Sequence, residues 1–241
     1  MGLGRALRLG GALDEAEEAL ASSLSLNREM GNRHGECEAL TMLGGVALRR
    51  RRFEEAEETI ERSLSLTPET NRYSMAYALG FLGWARVYGG RFSAAEGPLR
   101  ESLELHRDLG VRGYGLHWHT ALGQARLHQG RYDEARALAE QIVAEARDLG
   151  YPHGITLGLA LLGQVALATG AFAEAERTLT ESVEAAGPDA KDPYEAGQAP
   201  MLGLAARGLG RPAEAKQQML AALSRASSTS DLQDQMVALV G

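Results

Sequence analysis

Three histidines lie close enough along the chain to raise the question of a metal site. His117 and His119 are two residues apart, which turns a helix by about 200° and points their rings to opposite sides. His117 and His128 share a face, but at a rise of about 1.5 Å per residue they lie about 16 Å apart, whereas zinc binds nitrogens at about 2 Å. We predict no metal site. We expect these imidazoles to form hydrogen bonds, which would make ligand affinity sensitive to pH near neutrality.

Cys37 is the only cysteine and the only candidate for a nucleophile of high reactivity. His34 lies three residues before it and could face it on a helix, but Glu36 and Glu38 flank the thiol and disfavour a thiolate. The sequence shows no orienting third group, no phosphate-binding loop and no nucleophile elbow. We predict a buried Cys37 and a chain that is not an enzyme and needs no cofactor.

Charged residues predict a solvated helix face. Acidic pairs such as Glu54-Glu55 and Glu57-Glu58 accompany the run Arg49 to Arg52, as in a salt-bridged outer surface. The arginine run could instead bind an acidic partner or phosphate, but a helix C-terminus that attracts cations is the simpler explanation. The formal charge is −7, from 25 basic and 32 acidic residues, which disfavours nucleic-acid binding.

The overall composition is that of a soluble chain with an excess of glycine. No apolar run approaches the roughly 20 residues that span a bilayer, and the first residues lack the apolar segment of a signal peptide. We therefore expect a cytoplasmic protein that does not bind membranes. The 29 glycines are close to twice the usual share, which asks for a structural cause.

That cause is an internal repeat of about 40 residues. A Leu-Gly pair recurs in steps of 40, 39, 40, 40 and 40, and an alanine follows each leucine by 13 residues. The pairs begin at Leu3, Leu43, Leu82, Leu122, Leu162 and Leu202. Because glycine weakens a helix by about 1 kcal/mol relative to alanine, a glycine kept at this place indicates close approach of a neighbouring helix.

A second glycine column marks the end of the first helix of each unit. It comprises Gly11, Gly90, Gly130, Gly170 and Gly210, with Arg51 as the exception. Glycine is favoured where a helix ends with positive φ, and acidic residues such as Asp133 and Glu134 then suit the first turn of a second helix. The repeat therefore predicts two antiparallel helices per unit.

This pattern resembles the tetratricopeptide repeat over essentially the whole chain. The 40-residue unit is most similar to the helical sensor domains of MalT-like and LuxR-type regulators and related bacterial signalling ATPases of the STAND class. The resemblance implies an all-α fold, a right-handed αα superhelix of about six helix pairs. The predicted units cover residues 1–30, 34–70, 73–111, 113–151, 153–187 and 193–229, with a seventh beginning at 230–241.

The chain begins and ends at the same phase of the repeat, without polar capping helices. We expect a single solenoid over 1–241 that is an excerpt of a longer array; a short free-standing array is the alternative. Apolar faces at uncapped ends would allow a homo-oligomer. Polar segments at 186–193 and 224–231 are interpreted as connections between helices.

Periodicity separates the open face of each first helix from its buried face. Leu40, Leu43, Gly44 and Ala47 define the buried side, and the set at about 140° from it should be open. Tetratricopeptide-like proteins commonly hold a bound peptide at these positions, so resemblance and register agree. The predicted ligand-binding residues are Tyr77, Trp84, Tyr88, His117, Thr120, Gln124, His128 and Gln164. The alternative is that these rings are buried against the next repeat, or that the long second helices fill the groove.

The resemblance implies recognition rather than catalysis. We expect a sensor or scaffold domain of a multidomain bacterial signalling or transcription regulator, which binds a peptide, a protein segment or a small effector on its concave face. The alternative is a stand-alone adaptor for protein–protein assembly. The third class is an enzyme that uses carboxylates and histidines of the groove, but the sequence shows no recognisable catalytic arrangement of these residues.

Overall fold

The computed structural model describes residues 13–187 and 198–229. These residues form helices joined by short turns. Their bounds are α1 Leu13–Glu29, α2 Arg33–Arg49, α3 Phe53–Leu66, α4 Arg72–Tyr88, α5 Phe92–Asp108, α6 Arg112–His128, α7 Tyr132–Asp148, α8 Pro152–Ala168, α9 Phe172–Ala186, α10 Gln198–Gly208 and α11 Pro212–Thr229. The predicted all-α, tetratricopeptide-like solenoid class is confirmed for this part of the chain.

The described chain packs as two compact units that divide after Ala125. In the first unit α2 packs on α3, α4 packs on α5, and α2 also contacts α4. In the second unit α8 lies between α7 and α9, and it also contacts α10. Each unit thus stacks helical hairpins through their first helices, as the repeat predicts.

The first glycine column allows the two helices of a hairpin to approach closely. A Cβ placed on Gly44 would lie 2.9 Å from Ile60 Cδ1, and one on Gly163 would lie 2.5 Å from Leu179 Cγ. Ile60 and Leu179 are fully buried. The glycines therefore accommodate large side chains of the second helix, as expected from their spacing.

The second glycine column ends the first helices with positive φ. The φ angles of Gly90, Gly130, Gly170 and Gly210 are 74°, 75°, 74° and 74°. Arg51 takes the same conformation with φ of 59°. The turn geometry is thus the same in every described repeat, and only the residue that adopts it changes.

In three hairpins a serine of the second helix forms a hydrogen bond to the backbone of the first helix. The Ser63 hydroxyl donates to the Cys37 carbonyl at 2.7 Å, Ser102 to Ala76 at 2.6 Å, and Ser182 to Thr156 at 2.9 Å. All three serines are buried. A buried hydroxyl that donates across the hairpin leaves no unsatisfied polar group, and this column was not recognised in the sequence.

Ion pairs engage the carboxylates of the second helices, where the charge pattern predicted a salt-bridged face. Arg86 contacts Glu57 at 3.0 Å and Glu61 at 2.9 Å, and Arg91 also pairs with Glu57. In the second unit Arg136 pairs with Glu174 and lowers the pKa of that carboxyl. Partly exposed pairs of this kind contribute little each to stability, about 0–1 kcal/mol.

The expectations about particular segments have different outcomes. The connection predicted over 224–231 is wrong up to residue 229, because α11 continues to Thr229. The first Leu-Gly pair, the loop over 188–193 and the seventh unit at 230–241 lie outside the described residues. The single array over 1–241 stays a prediction. None of the helices that the structure describes is long and apolar enough to cross a bilayer.

Candidate ligand-binding site

Five aromatic side chains line one face of α4. They are Tyr73, Tyr77, Phe81, Trp84 and Tyr88, and steps of three or four residues place them on one side of a helix. Tyr77, Trp84 and Tyr88 are half-buried, Tyr73 is 41% exposed and Phe81 is buried. We call these residues the aromatic stripe. Three of its members were predicted from the sequence, and their partial burial leaves ring surface that a ligand can contact.

Trp118 of α6 packs against the middle of the aromatic stripe. Its ring centroid lies 5.4 Å from that of Phe81, 5.9 Å from Trp84 and 6.2 Å from Tyr77, with edge-to-face geometry. Only 2% of Trp118 is exposed. Gly80 makes room for the indole, because a Cβ there would lie 2.6 Å from Trp118 Cδ2.

Sequence reasoning missed Trp118 as the side chain that covers part of this face. The reason is that register sorts the faces of one helix but does not reveal which side chain of the next repeat covers them. The available signal was an aromatic residue, Trp118, directly after the predicted ligand residue His117. Part of the alternative reading is therefore correct, since the next repeat buries one edge of the aromatic stripe.

On α6, His117 and Gln124 lie seven residues apart and share a face. The rings of His117 and Trp118 have centroids 6.5 Å apart, and both His117 and Gln124 are half-buried. Gln124 Oε1 is shielded from solvent and accepts no hydrogen bond within the part of the chain that the structure describes. Burying a hydrogen-bond acceptor without a donor costs free energy. A ligand that donates an N–H group to Gln124 would remove this cost.

Thr120 differs from the expectation of an open position. It is 6% exposed, and its hydroxyl donates to the Leu116 carbonyl of its own helix at 2.9 Å. The physical reason is that a threonine hydroxyl within a helix can donate to the carbonyl four residues earlier, which turns it toward its own backbone. Thr120 can shape the site, but its hydroxyl is already engaged within α6.

Two other predicted ligand residues belong to the second unit. His128 is exposed at the end of α6, and Gln164 is half-buried on α8. Their roles stay predictions. No group of three metal-binding side chains occurs among the residues that the structure describes.

Behind Trp118 lies a buried histidine, His106 of α5. It is 1% exposed, its Nδ1 donates to the Ser102 carbonyl at 2.8 Å, and its ring centroid lies 6.5 Å from those of Trp118 and Tyr73. Burial lowers the pKa of His106 below its usual value of 6.5, and the Ser102 carbonyl only partly offsets this effect. Burial also lowers the pKa of His119. These histidines are therefore neutral in the folded protein near pH 7.

The lowered histidine pKa values predict a loss of stability in mild acid. The unfolded chain takes up protons as the pH falls below about 6.5, whereas folded His106 and His119 resist protonation. The stability is therefore full above this pH and decreases as the pH falls toward the folded pKa values. We expect a lower midpoint of thermal unfolding at pH 5 than at pH 7.5, and a smaller difference in His106→Leu, measured by circular dichroism. An equal pH dependence in wild type and His106→Leu would contradict this assignment.

Comparison with known proteins agrees with this architecture. Two family models described as tetratricopeptide repeat match residues 35–108 and 82–149. The aromatic stripe, Trp118 and Gln124 all lie within the residues that these two models match. No curated protein shows significant sequence similarity to this chain.

Solved structures share the fold at low sequence identity. NprR in complex with its cognate peptide NprX is 14% identical with a TM-score of 0.82, over 99% of this chain and 70% of that one. The Rap conjugation gene regulator of plasmid pLS20, in complex with the Phr* peptide, is 16% identical with a TM-score of 0.77, over 88% of this chain and 59% of that one. BtubC from P. vanneervenii is 13% identical with a TM-score of 0.66, over 92% of both chains. At these identities the similarity concerns the fold.

Proposed function

We propose that the chain is a non-catalytic recognition module that binds an extended peptide or protein segment along α4 and α6 of the first unit. The observation that carries this proposal is the row of half-buried rings on α4, together with the shielded Gln124 Oε1 without a donor on α6, the helix whose Trp118 packs against those rings. The aromatic rings provide contact area for the ligand, and the unpaired acceptor fixes the ligand's orientation. Ligand sites usually combine apolar side chains with a few polar groups in this way.

The size of the site fits a short segment. Tyr77 and Tyr88 are eleven residues apart on α4, which corresponds to about 16 Å at 1.5 Å per residue. An extended peptide advances about 3.3 Å per residue, so about five residues lie along this length. In this arrangement Gln124 accepts a backbone N–H of the peptide, and His117 offers a second polar contact.

The fold supports the same class of ligand. NprR and the Rap conjugation regulator share the fold and are bound to peptides in their structures. We extend the proposal to a sensor or scaffold role within a multidomain bacterial signalling or transcription regulator, in the cytoplasm. Similarity to MalT-like and LuxR-type regulators belongs to this proposal and rests on the sequence pattern. A stand-alone adaptor would use the same surface.

The test is capture of peptides from a defined mixture. The full chain is immobilised and exposed to an equimolar synthetic pool of random heptapeptides, and bound peptides are identified by mass spectrometry. We expect a specific subset to be enriched on wild type and to lose at least about tenfold in capture on Trp84→Ala and on Gln124→Met. The first variant removes ring area, and the second keeps side-chain size but removes the acceptor.

Tyr132→Ala is the matched control, because Tyr132 is an aromatic residue of α7 that is 38% exposed and lies outside the site. It should capture the same peptides as wild type. Circular dichroism establishes that each variant keeps its helices. Equal capture by wild type, Trp84→Ala and Gln124→Met, or no enrichment on wild type, would refute the proposed function.

A further inference from the structure

Arg51 occupies a position at which the other described repeats have glycine. Its φ of 59° is the only positive φ of a non-glycine residue among those that the structure describes. Its N–H donates to the Leu48 carbonyl at 2.9 Å, and Arg52 donates to Ala47 at 2.9 Å, which is the hydrogen-bond pattern of the Gly90 turn. The turn therefore requires a residue in the left-handed helical region. Arginine adopts this backbone conformation at a cost in conformational free energy that glycine does not have.

The side chain of Arg51 extends toward one end of the aromatic stripe. Its Cζ lies 5.8 Å from the ring centroid of Phe53, in a cation–π contact. Phe53 in turn stacks on Tyr88, with centroids 6.2 Å apart and planes inclined by 14°. Tyr88 and Trp84 have centroids 5.9 Å apart. A guanidinium thus continues the row of rings that forms the proposed peptide site.

Arg51 also differs from its neighbours in its ion pairs. Arg50 pairs with Asp14 and with Glu17 at 3.2 Å, and Arg52 contacts Glu17 at 3.5 Å and Glu55 at 3.2 Å. Arg51 is exposed and forms no ion pair with a carboxylate of the described residues. Its positive charge is therefore not neutralised by the nearby acidic groups, which already have arginine partners.

We propose that Arg51 binds a carboxylate of the peptide and so sets which end of the peptide lies beside Tyr88. This inference rests on the proposed function and adds the chemical class of the ligand. The planar guanidinium can donate two parallel hydrogen bonds to one carboxylate, either the chain terminus or an Asp or Glu side chain. A residue held in a strained conformation is expected where the position of its side chain is needed for binding.

The experiment compares two forms of the same heptapeptide pool on the immobilised full chain. One form has a free C-terminal carboxylate, and the other has a C-terminal amide. A chain-terminal carboxylate predicts at least about tenfold higher capture of the free-acid form by wild type. A side-chain carboxylate predicts equal capture of both forms, with Asp or Glu enriched at one end of the captured peptides.

Two variants assign the effect to Arg51. Arg51→Gly should abolish the carboxylate preference and, because glycine accepts positive φ without strain, raise the midpoint of thermal unfolding by about 2–4 °C. Arg51→Lys keeps the charge but not the paired hydrogen bonds, so it should retain part of the preference. Retained preference in Arg51→Gly would overturn the inference.

The outcome also separates this inference from the proposed function. If wild type captures peptides that depend on Trp84 and Gln124 but shows no preference for a terminal or side-chain carboxylate, the inference fails and the proposed function stands. If wild type captures no peptides, both fail.

Discussion

Trp118→Ala is expected to lower the free energy of unfolding by about 3–5 kcal/mol, the usual loss when a large buried aromatic side chain is removed. Trp118 is 2% exposed and contacts the rings of Tyr77, Phe81 and Trp84. Alanine would leave a cavity between α4 and α6 that these rings cannot fill without changing rotamers. Urea denaturation followed by circular dichroism measures the loss.

Trp118→Phe and Tyr132→Ala provide the comparison for this prediction. Phenylalanine keeps part of the edge-to-face contact, so its effect should lie between those of wild type and alanine. Tyr132 is 38% exposed, and removing its ring should change the free energy of unfolding by less than about 1 kcal/mol. A loss below about 1 kcal/mol in Trp118→Ala would show that the indole is not the centre of this packing.

Gly83→Ala is expected to destabilise the protein by about 1–3 kcal/mol, although alanine is the better helix former. A Cβ at Gly83 would lie 2.6 Å from Leu99 Cδ2 and 3.3 Å from the Ala95 carbonyl oxygen. Leu99 is fully buried, so its branch point has no free space into which to move. The two helices of the hairpin must separate, which weakens the surrounding contacts.

Gly115→Ala is the matched control for the effect of alanine on a helix. Gly115 lies within α6, and a Cβ there would meet only Leu103 Cδ2, at 3.8 Å, which is an ordinary van der Waals contact. This variant should be stabilised by up to about 1 kcal/mol. The two variants should therefore change the urea midpoint in opposite directions. A stabilised Gly83→Ala would contradict the close-approach explanation of the Leu-Gly column.

The repeat architecture was predictable because its causes are local. A helix end with positive φ favours glycine whatever packs against it, and Gly90 and Gly130 have this conformation. A glycine inside a helix signals close approach, and Ile60 lies against Gly44. The aromatic stripe was partly predictable for the same reason, since Tyr77, Trp84 and Tyr88 share a face by helical periodicity alone.

Contacts between repeats were not predictable in this way. Thr120 and Gly80 share helix faces with predicted ligand residues, yet both are buried, and at Gly80 the indole of Trp118 from the next repeat fills the space. The serine hydroxyls that donate across the hairpins were missed because serine is common on exposed helix surfaces. Only the partner carbonyl 26 residues earlier, such as that of Cys37, distinguishes Ser63 from a surface serine.

The amino-acid sequence by itself determined the helix pairs, their turns and the helix face that carries the aromatic residues, because these follow from backbone preference and a period of 3.6 residues. The tertiary structure decided which of those residues stay accessible, that Trp118 lies at their centre, and that Gln124 keeps a shielded oxygen without a donor. It also decided that Phe53, the ring beneath Arg51, stacks on Tyr88 of the next repeat. The physical reason is that burial and pairing depend on side chains about 40 residues away, whose approach no local pattern encodes.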